Sequence, residues 1–304
     1  MATYERVPTD FFQQCRNYYF PNRIYDFKKL ENDLLNTIEY RKDDVIVVAY
    51  PKSGINWMLV SLRELYKNTW GVCRSGDRVM APLLDWLVFK DGRVIEGIID
   101  DCKTQFLHSN SALPSPRLFC THLPYEFLPM KKLTEKGAKI ICVARNPKDV
   151  CTSYHYFMKS WLGGEWSVPW QQLVESDFID GRTEYGPYTR YILSWYSHGR
   201  DENIFHVTYE EMKHKYKPTM KKISEFLEKP VTDADLERIE KSCSFQNMDP
   251  KSLPFDDKSF KMGQFCRKGI VGDWKNHFTV AQSEQFDKCI VSELTSNNIN
   301  FTYE

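Results

Sequence analysis

The sequence predicts an α/β fold, a single domain with a central, mostly parallel sheet flanked by helices. Four short apolar segments predict the strands, and three of them are rich in Val and Ile with little alternation, as in strands covered on both faces. They are Val45–Tyr50, Leu118–Cys120, Lys139–Ala144 and Ile204–Val207. Helical patterns lie between them, which favours right-handed crossovers. At 304 residues, the chain can bury a large core within one domain over residues 1–304.

Helical periodicity accounts for most of the remaining elements. The patterns cover Trp57–Tyr66, Asp149–Trp161, Tyr188–His198, Pro218–Glu228 and Leu236–Ser242. Pro218 is expected at the first position of its helix, where its missing N–H costs nothing. Thr232, three residues before Asp235, is expected to cap the last of these helices.

The stretch Asn247–Asp273 has no helical or strand period. It contains two prolines and three glycines, at positions 250, 254, 263, 269 and 272. A structureless loop longer than ~15 residues inside a compact domain is usually functional or disordered. Because its far end carries Arg267-Lys268-Gly269, we interpret this loop as functional.

Charge and cysteine content exclude several classes of protein. The 41 Lys and Arg residues balance 41 Asp and Glu residues, which argues against bulk attraction to nucleic acid or an anionic membrane. No signal peptide is visible in the first twenty residues, and no apolar run could span a bilayer. The nine cysteines are scattered without a C-x-x-C pair or zinc-ligand spacing. We therefore expect reduced thiols in the cytosol.

A candidate phosphate-binding loop follows the first strand. The segment Tyr50–Trp57 leaves the strand, turns through Ser53-Gly54 and enters a helix. Unpaired N–H groups at such a helix start favour an anion, and Lys52 adds a positive charge. The triplet Lys-Ser-Gly is short, so an ordinary turn with an exposed lysine remains an alternative.

This loop differs from a magnesium-nucleotide site. In the Walker A pattern the lysine follows the second glycine, whereas Lys52 precedes Gly54. The strand Ile140–Ala144 ends in Arg145, a cation where a magnesium-holding carboxylate would be expected. A phosphate site framed by Lys52 and Arg145 neutralises its ligand with side chains, so we predict no metal.

Four segments, in order, resemble one known family. They are the loop at residues 50–57, Cys120-Thr121-His122-Leu123-Pro124, residues 143–153, and Arg267-Lys268-Gly269 with Gly272-Asp273-Trp274-Lys275. Together they resemble the cytosolic sulfotransferases, which use 3′-phosphoadenosine 5′-phosphosulfate (PAPS). The resemblance extends from about Asp44 to the C-terminus.

The resemblance implies a set of PAPS-binding residues. The 5′-phosphosulfate would be held by Lys52, Ser53, Gly54, Ile55 and Asn56. The 3′-phosphate would be bound by Arg145 and Ser153 and clamped, within the loop 247–273, by Arg267, Lys268 and Gly269. An arginine fork suits phosphate geometry better than a point charge does. The adenine would lie among Trp57, Phe245, Tyr209 and Cys243.

The resemblance also implies a catalytic set of His122, Lys52 and Ser153. His122 follows a strand at the carboxyl edge of the sheet, where ligand sites gather, and histidine is suited to act as a base near neutral pH. It would take the acceptor proton, Lys52 would stabilise the leaving group, and Ser153 would restrain Lys52. The product would be adenosine 3′,5′-bisphosphate (PAP).

The expected acceptor is a small hydrophobic compound with a hydroxyl group, such as a phenol or a steroid. Candidate pocket residues are Leu83, Trp86, Cys120 and Phe157, with residues 1–43 covering the acceptor side. The segment from Lys275 to Glu284 matches the family dimer pattern K-x-x-x-T-V-x-x-x-E, which predicts a homodimer through Lys275, Thr279, Val280 and Glu284.

Four positions depart from the family pattern. Ile55-Asn56 stands where many relatives have two threonines, Cys120 where phenol-type relatives have a lysine, and Cys243 where a threonine is usual. These departures keep open a catalytically weak or inactive nucleotide-binding protein, a sensor or scaffold. A P-loop kinase is the other alternative, disfavoured by the position of Lys52.

Overall fold

The computed structural model describes residues 12–22, 24–31, 34–70, 81, 83–88, 115–161, 168–247 and 267–304. Two strands, β1 (Phe12–Cys15) and β2 (Tyr18–Pro21), form an antiparallel hairpin. The other four are β3 (Val45–Ala49), β4 (Leu118–Thr121), β5 (Lys139–Ala144) and β6 (Ile204–Thr208). They form one parallel sheet in the order β4-β3-β5-β6, so the predicted α/β class and all four of its strands are confirmed.

The register of the sheet brings the predicted site segments to one edge. Val47 lies opposite Cys120 on β4 and Ile141 on β5, and Ala49 lies opposite Val143. The carboxyl ends of β3, β4 and β5 are therefore level with one another. Ligand sites of open α/β sheets gather outside these carboxyl ends.

Helices cover both faces of the sheet. In chain order they are α1 (Phe27–Glu31), α2 (Ile55–Leu65), α3 (Lys67–Trp70), α4 (Met130–Lys136), α5 (Pro147–Trp161), α6 (Trp170–Gln172), α7 (Tyr188–Tyr196), α8 (Tyr209–His214), α9 (Tyr216–Phe226), α10 (Asp233–Ser242), α11 (Val280–Phe286) and α12 (Ser292–Ser296). Shorter turns at Leu34–Thr37, Leu84–Val88, Tyr125–Phe127 and Asp273–Asn276 are 3₁₀-helical, and Leu173–Asp177 and Asp287–Val291 are π-helical. All five residues of β3 are buried between the two layers.

Capping decides where the predicted helices begin. The helix α5 starts at Pro147, two residues before the predicted start, because the Asn146 side chain accepts a hydrogen bond from the Asp149 N–H at 2.8 Å. The predicted cap at Thr232 is confirmed as a reciprocal capping box with Asp235. The prediction for Pro218 was wrong by two positions: it is the third residue of α9. The N–H of a third residue also has no intrahelical partner, so proline is tolerated there.

The described thiols are reduced. Five are buried, at positions 15, 120, 142, 151 and 243, and Cys289 is exposed. Cys73, Cys102 and Cys266 lie outside the described residues. Within the described ranges, no helix is both long and apolar enough to cross a bilayer.

Candidate active site

The turn between β3 and α2 is built around two residues with positive φ. Lys52 has φ 71° and Gly54 has φ 105°, and the Ser53 N–H donates to the Tyr50 carbonyl at 3.1 Å. The helix then begins directly at Ile55, with no side-chain cap at Gly54. A helix start without a cap presents N–H groups that favour an anion.

Buried polar atoms in the same turn point to a ligand. The hydroxyl oxygen of Ser53 and the amide oxygen of Asn56 are both buried, and neither has a hydrogen-bond partner among the described residues. Buried polar atoms are nearly always hydrogen-bonded in folded proteins. A bound molecule with polar groups would satisfy them, as predicted for the phosphate loop.

Gly54 makes a close contact that no other residue type allows. A Cβ atom at this position would lie 2.7 Å from Cδ2 of Tyr209, the first residue of α8. Real Cβ atoms do not approach this closely, so a side chain here would displace the Tyr209 ring. The backbone conformation also disfavours side chains.

We expect Gly54→Ala to lower the free energy of unfolding by at least ~1 kcal/mol and to weaken PAP binding at least ~10-fold. Urea unfolding and calorimetric titration measure the two effects. The matched control is Gly137→Ala, because Gly137 also has positive φ, at 80°, but its Cβ would meet only Lys42, at 3.4 Å. Equal loss of PAP affinity in both variants would contradict the role assigned to Gly54.

Arg145, directly after β5, connects the loop to the C-terminal part of the chain. Its Nη1 donates to the Lys52 carbonyl at 3.4 Å, and its Nη2 donates to the Ile270 carbonyl at 3.0 Å. The guanidinium lies 4.3 Å from the ring centroid of Tyr209, and its Nε is buried without a partner among the described residues. The structure therefore places Arg145 beside the turn of Lys52, which is the candidate phosphate-binding loop.

Asp149 anchors the segment that follows the long loop. Its carboxylate accepts hydrogen bonds from the Gly272 N–H at 2.8 Å and the Trp274 N–H at 3.0 Å. It also lies 3.6 Å from the Arg145 guanidinium. Residues 272–274 are thus joined to α5 beside Arg145, and residues 248–266 of the predicted loop lie outside the described part of the chain.

The predicted clamp residues Arg267 and Lys268 both pair with one carboxylate. Arg267 lies 2.5 Å and Lys268 lies 2.7 Å from the oxygens of Asp273. Burial by itself raises the pKa of Asp273, but hydrogen bonds from Lys268, Asn276 and Arg267 outweigh it and hold the pKa well below the usual range. The carboxylate therefore stays ionised and keeps both cations in place.

Aromatic rings lie where the adenine site was predicted. The indole N–H of Trp57 donates to the Cys243 carbonyl at 2.9 Å, and its ring lies edge-on to Tyr209 at 5.3 Å and stacks on Tyr216 at 5.7 Å. Phe245 is 43% exposed. It packs on Gly269, where a Cβ would lie 2.4 Å from Phe245 Cδ2. No ring contact joins Trp57 to Phe245 among the described aromatic pairs.

His122 follows β4 at the carboxyl edge, and its geometry selects one tautomer. Its Nδ1–H donates to the Ala49 carbonyl at 2.6 Å. A carbonyl can only accept, so in the neutral ring Nε2 carries the lone pair. Burial lowers the pKa of His122, and the Lys52 charge lowers it further, against raising effects of Asp85 and the Ala49 hydrogen bond. The ring is therefore neutral near pH 7 and can accept a proton at Nε2.

Two predicted residues flank the loop from α5. The Nζ of Lys52 lies 4.3 Å from the ring centroid of Phe157. Ser153 lies one turn earlier on the same helix and is partly exposed. Its hydroxyl makes no hydrogen bond within the described ranges, so it is available to a ligand.

Of the predicted acceptor residues, Leu83 and Cys120 lie in the core beside the sheet. They form a parallel bridge, and the Cys120 thiol donates to the Ala81 carbonyl at 3.4 Å. Cys120 is fully buried. The side chain of Trp86 lies outside the described residues.

Two buried acids near His122 were missed by the sequence analysis. Asp85 lies in the turn Leu84–Val88, and its carboxylate accepts hydrogen bonds from the His122 N–H at 3.2 Å and the Thr121 hydroxyl at 2.5 Å. Glu184 is 7% exposed, and burial followed by the Asp85 charge raises its pKa to about 8. The available signal for Asp85 was one acid within an apolar run, between Leu84 and Trp86.

The predicted dimer segment lies on the surface. Val280 is 76% exposed at the start of α11, and Thr279 caps that helix through a capping box. Lys275 forms an ion pair with Glu304 of the same chain. An exposed apolar residue flanked by charges is available to a partner copy.

A protein-family model described as "Sulfotransferase domain" matches residues 42–298 of this chain. The chain belongs to the sulfotransferase family. This sulfotransferase is 35% identical to the amine sulfotransferase of Oryctolagus cuniculus over 96% of its own length and 93% of that protein. It is 31% identical to sulfotransferase 1E1 of Homo sapiens, over 90% of both chains.

Solved structures share the fold of this sulfotransferase. Mouse sulfotransferase SULT7A1, solved in complex with PAP, is 27% identical with a TM-score of 0.71, over 95% of this chain and 96% of that one. Retinol dehydratase, solved with androsterone and PAP, has a TM-score of 0.74 at 17% identity, over 96% of this chain and 91% of that one. The predicted family is confirmed, and the chain is a sulfotransferase.

Proposed function

We propose that this sulfotransferase transfers a sulfuryl group from PAPS to a hydroxyl group of a small hydrophobic acceptor, with His122 as general base. The observation that carries the proposal is the neutral His122 ring, whose Nδ1–H is engaged by the Ala49 carbonyl and whose Nε2 accepts. This base stands at the same sheet edge as the loop of Lys52 and the guanidinium of Arg145.

The residues around the loop fit PAPS in charge and shape. The buried oxygens of Ser53 and Asn56 lack hydrogen-bond partners that a ligand could supply. Gly54 has no side chain, so the Tyr209 ring can pack directly against the turn. The resemblance assigns the 5′-phosphosulfate to residues 52–56 and the 3′-phosphate to Arg145, Ser153, Arg267, Lys268 and Gly269. When bound, PAPS supplies the activated sulfuryl group and a bisphosphate leaving group. The PAP complex of the mouse relative supports this choice of cofactor.

Each catalytic residue has one task in the proposed reaction. His122 Nε2 accepts the hydroxyl proton as the acceptor oxygen attacks, which is the role of a general base. The Lys52 ammonium group stabilises the negative charge that develops on the leaving oxygen. The Ser153 hydroxyl donates to the nucleotide or accepts a hydrogen bond from the Lys52 ammonium group. No metal takes part in the proposed reaction.

A pH profile tests the protonation state of His122. Because burial lowers the pKa of His122 and the base acts only when deprotonated, kcat/KM should fall below a pKa under the ordinary 6.5 and stay level above it. The measurement is kcat/KM from pH 5 to pH 8 in buffers of constant ionic strength. An acidic limb centred above 6.5 would contradict a base that is neutral near pH 7.

A screen of candidate compounds would identify the class of acceptor. Radiolabelled sulfate transfer from PAPS would be measured with phenols, steroids, aliphatic alcohols and amines, in the presence of EDTA. The amines are included because one relative is named an amine sulfotransferase. Transfer to any class supports the proposal. PAP binding without transfer to any class would favour the weak or inactive nucleotide-binding alternative. A kinase would instead show no transfer from PAPS, and it would transfer phosphate from MgATP only in the absence of EDTA.

Three further assignments belong to this proposal. Residues 1–43 cover the acceptor side, which is supported by the Tyr25 hydroxyl reaching Asp85 at 3.2 Å. A homodimer forms through Lys275, Thr279, Val280 and Glu284, and Val280 is exposed for that purpose. The protein acts in the cytoplasm on small molecules, without a nucleic acid or membrane partner.

Sedimentation at micromolar concentration, with Val280→Glu as the comparison, tests the proposed homodimer.

A further inference from the structure

The carboxylate of Asp85 is the centre of a buried hydrogen-bond network under His122. Asp85 is fully buried. Besides the Thr121 hydroxyl and the His122 N–H, its oxygens accept from the Tyr185 hydroxyl at 2.7 Å and the Tyr25 hydroxyl at 3.2 Å. The two tyrosine hydroxyls also hydrogen-bond to each other. Three parts of the chain that are distant in sequence therefore donate hydrogen bonds to this one side chain.

All the donors to this carboxylate are neutral. No lysine or arginine forms an ion pair with Asp85 among the described residues. A buried charge is costly unless it is paired, and hydrogen bonds from neutral groups offset only part of that cost. A group that becomes positive beside Asp85 is therefore stabilised by it. The nearest such group that the reaction uses is the His122 ring.

We infer that Asp85 is a positioning residue that fixes the main chain of Thr121 and His122 and holds a negative charge beside the ring while it carries the acceptor's proton. The inference rests on the proposed role of His122 as the base. Asp85 does not contact the ring nitrogens, because Nδ1 is bonded to the Ala49 carbonyl. Its effect on the ring is therefore electrostatic, and its effect on the ring's position passes through the backbone.

The other charged and titratable groups around His122 come from two sides. From the loop after β3, the Lys52 charge acts against protonation of the ring. From the segment before α7, the Tyr185 ring lies 5.5 Å from the His122 ring, and the neighbouring Glu184 interacts with Asp85. Burial and Lys52 thus lower the pKa of His122 while Asp85 raises it. Removing the Asp85 charge should lower this pKa further.

The test is a histidine titration by NMR on the full chain labelled with ¹³C-histidine. His122→Gln assigns the signal among the seven histidines. In Asp85→Asn the pKa of His122 should fall by about 0.5 unit or more, because an attractive charge is lost. In Tyr185→Phe the pKa of His122 should rise, because the Asp85 carboxylate loses one hydrogen-bond donor and its negative charge is then less offset. Tyr185→Phe keeps an aromatic ring beside His122, so it tests the inference even if Asp85→Asn does not fold.

Glu184→Gln is the matched control, since it removes another buried carboxyl group that interacts with Asp85 but not directly with the His122 ring. Its His122 pKa should equal that of the parent protein. Unchanged His122 pKa values in both Asp85→Asn and Tyr185→Phe would overturn the inference, as would equal shifts in the control.

Measuring kcat distinguishes a failure of this inference from a failure of the proposed function. With an acceptor found by the screen, Asp85→Asn should lower kcat at least ~10-fold while PAP affinity stays within about twofold. A normal kcat in a folded Asp85→Asn protein would overturn the inference and leave the sulfuryl transfer intact. If no acceptor is turned over, the proposed function fails, yet the NMR titration still decides whether Asp85 acts on His122.

Discussion

Replacing His122 with alanine should reduce turnover at least ~100-fold while leaving PAP binding unchanged. The alanine protein lacks the Nε2 lone pair that takes the acceptor's proton, so the hydroxyl group must attack without a base. PAP binding should survive because the residues proposed to bind the nucleotide are those of the neighbouring loop and Arg145, which is bonded to that loop, and do not include His122. Steady-state kinetics with a screened acceptor and calorimetric titration with PAP measure the two quantities.

His198→Ala is the control for this variant. His198 is 40% exposed in its side chain, stacks on Tyr125 and lies 3.6 Å from Asp201 at the surface. Its removal deletes an imidazole with no link to the site, so turnover should remain close to that of the parent protein. Turnover of His122→Ala within a few-fold of the parent would remove His122 from the mechanism.

Replacing Lys52 with alanine should lower kcat by about 10²–10³-fold, because one preorganised charge at the leaving oxygen is lost. In addition, PAP should bind more weakly, since the phosphate loop loses its cation. Lys52 is held in a turn with φ 71°, near the Phe157 ring, so its charge is positioned before the ligand binds. Kinetics at saturating PAPS separate the catalytic effect from the binding effect.

Two variants calibrate the Lys52 result. Lys52→Arg retains a positive charge with a different shape and should recover part of the activity. Lys131→Ala removes a lysine whose side chain is 90% exposed on α4, where it pairs with Glu135, and should behave as the parent. A kcat for Lys52→Ala that equals the parent value at saturating PAPS would show that this ammonium group serves binding alone.

The strands and the phosphate loop were predictable because their signals are local. An uninterrupted apolar run such as Val45–Ala49 predicts a strand whose two faces are both buried. This run forms an inner strand of the sheet, and all five of its residues are buried. Gly54 and Lys52 were recognisable because a Ser-Gly turn between a strand and a helix, with a lysine beside it, is a local pattern typical of an anion site. Helix ends were less accurate, as with Pro218, because capping by side chains such as Asn146 depends on individual hydrogen bonds.

Residues that act across long sequence distances were not predictable. Asp85 appeared as one acid in an apolar run, and its role follows from donors at positions 25, 121, 122 and 185. The pairing of Arg267 and Lys268 with Asp273 is short in sequence, but it depends on the turn geometry of the segment after the long loop. Neither grouping leaves a periodic pattern in the sequence.

By itself, the sequence determined the α/β class, the four strands of the parallel sheet and the family, and it predicted His122, Lys52 and Arg145 as the principal site residues. These features rest on short-range patterns of burial, turn formation and charge. Only the tertiary structure decided that Nδ1 of His122 faces the Ala49 carbonyl and that Asp85 lies beneath the His122 backbone. Protonation and tautomer depend on burial and on partners brought together by folding, so neighbouring residues in the chain do not encode them.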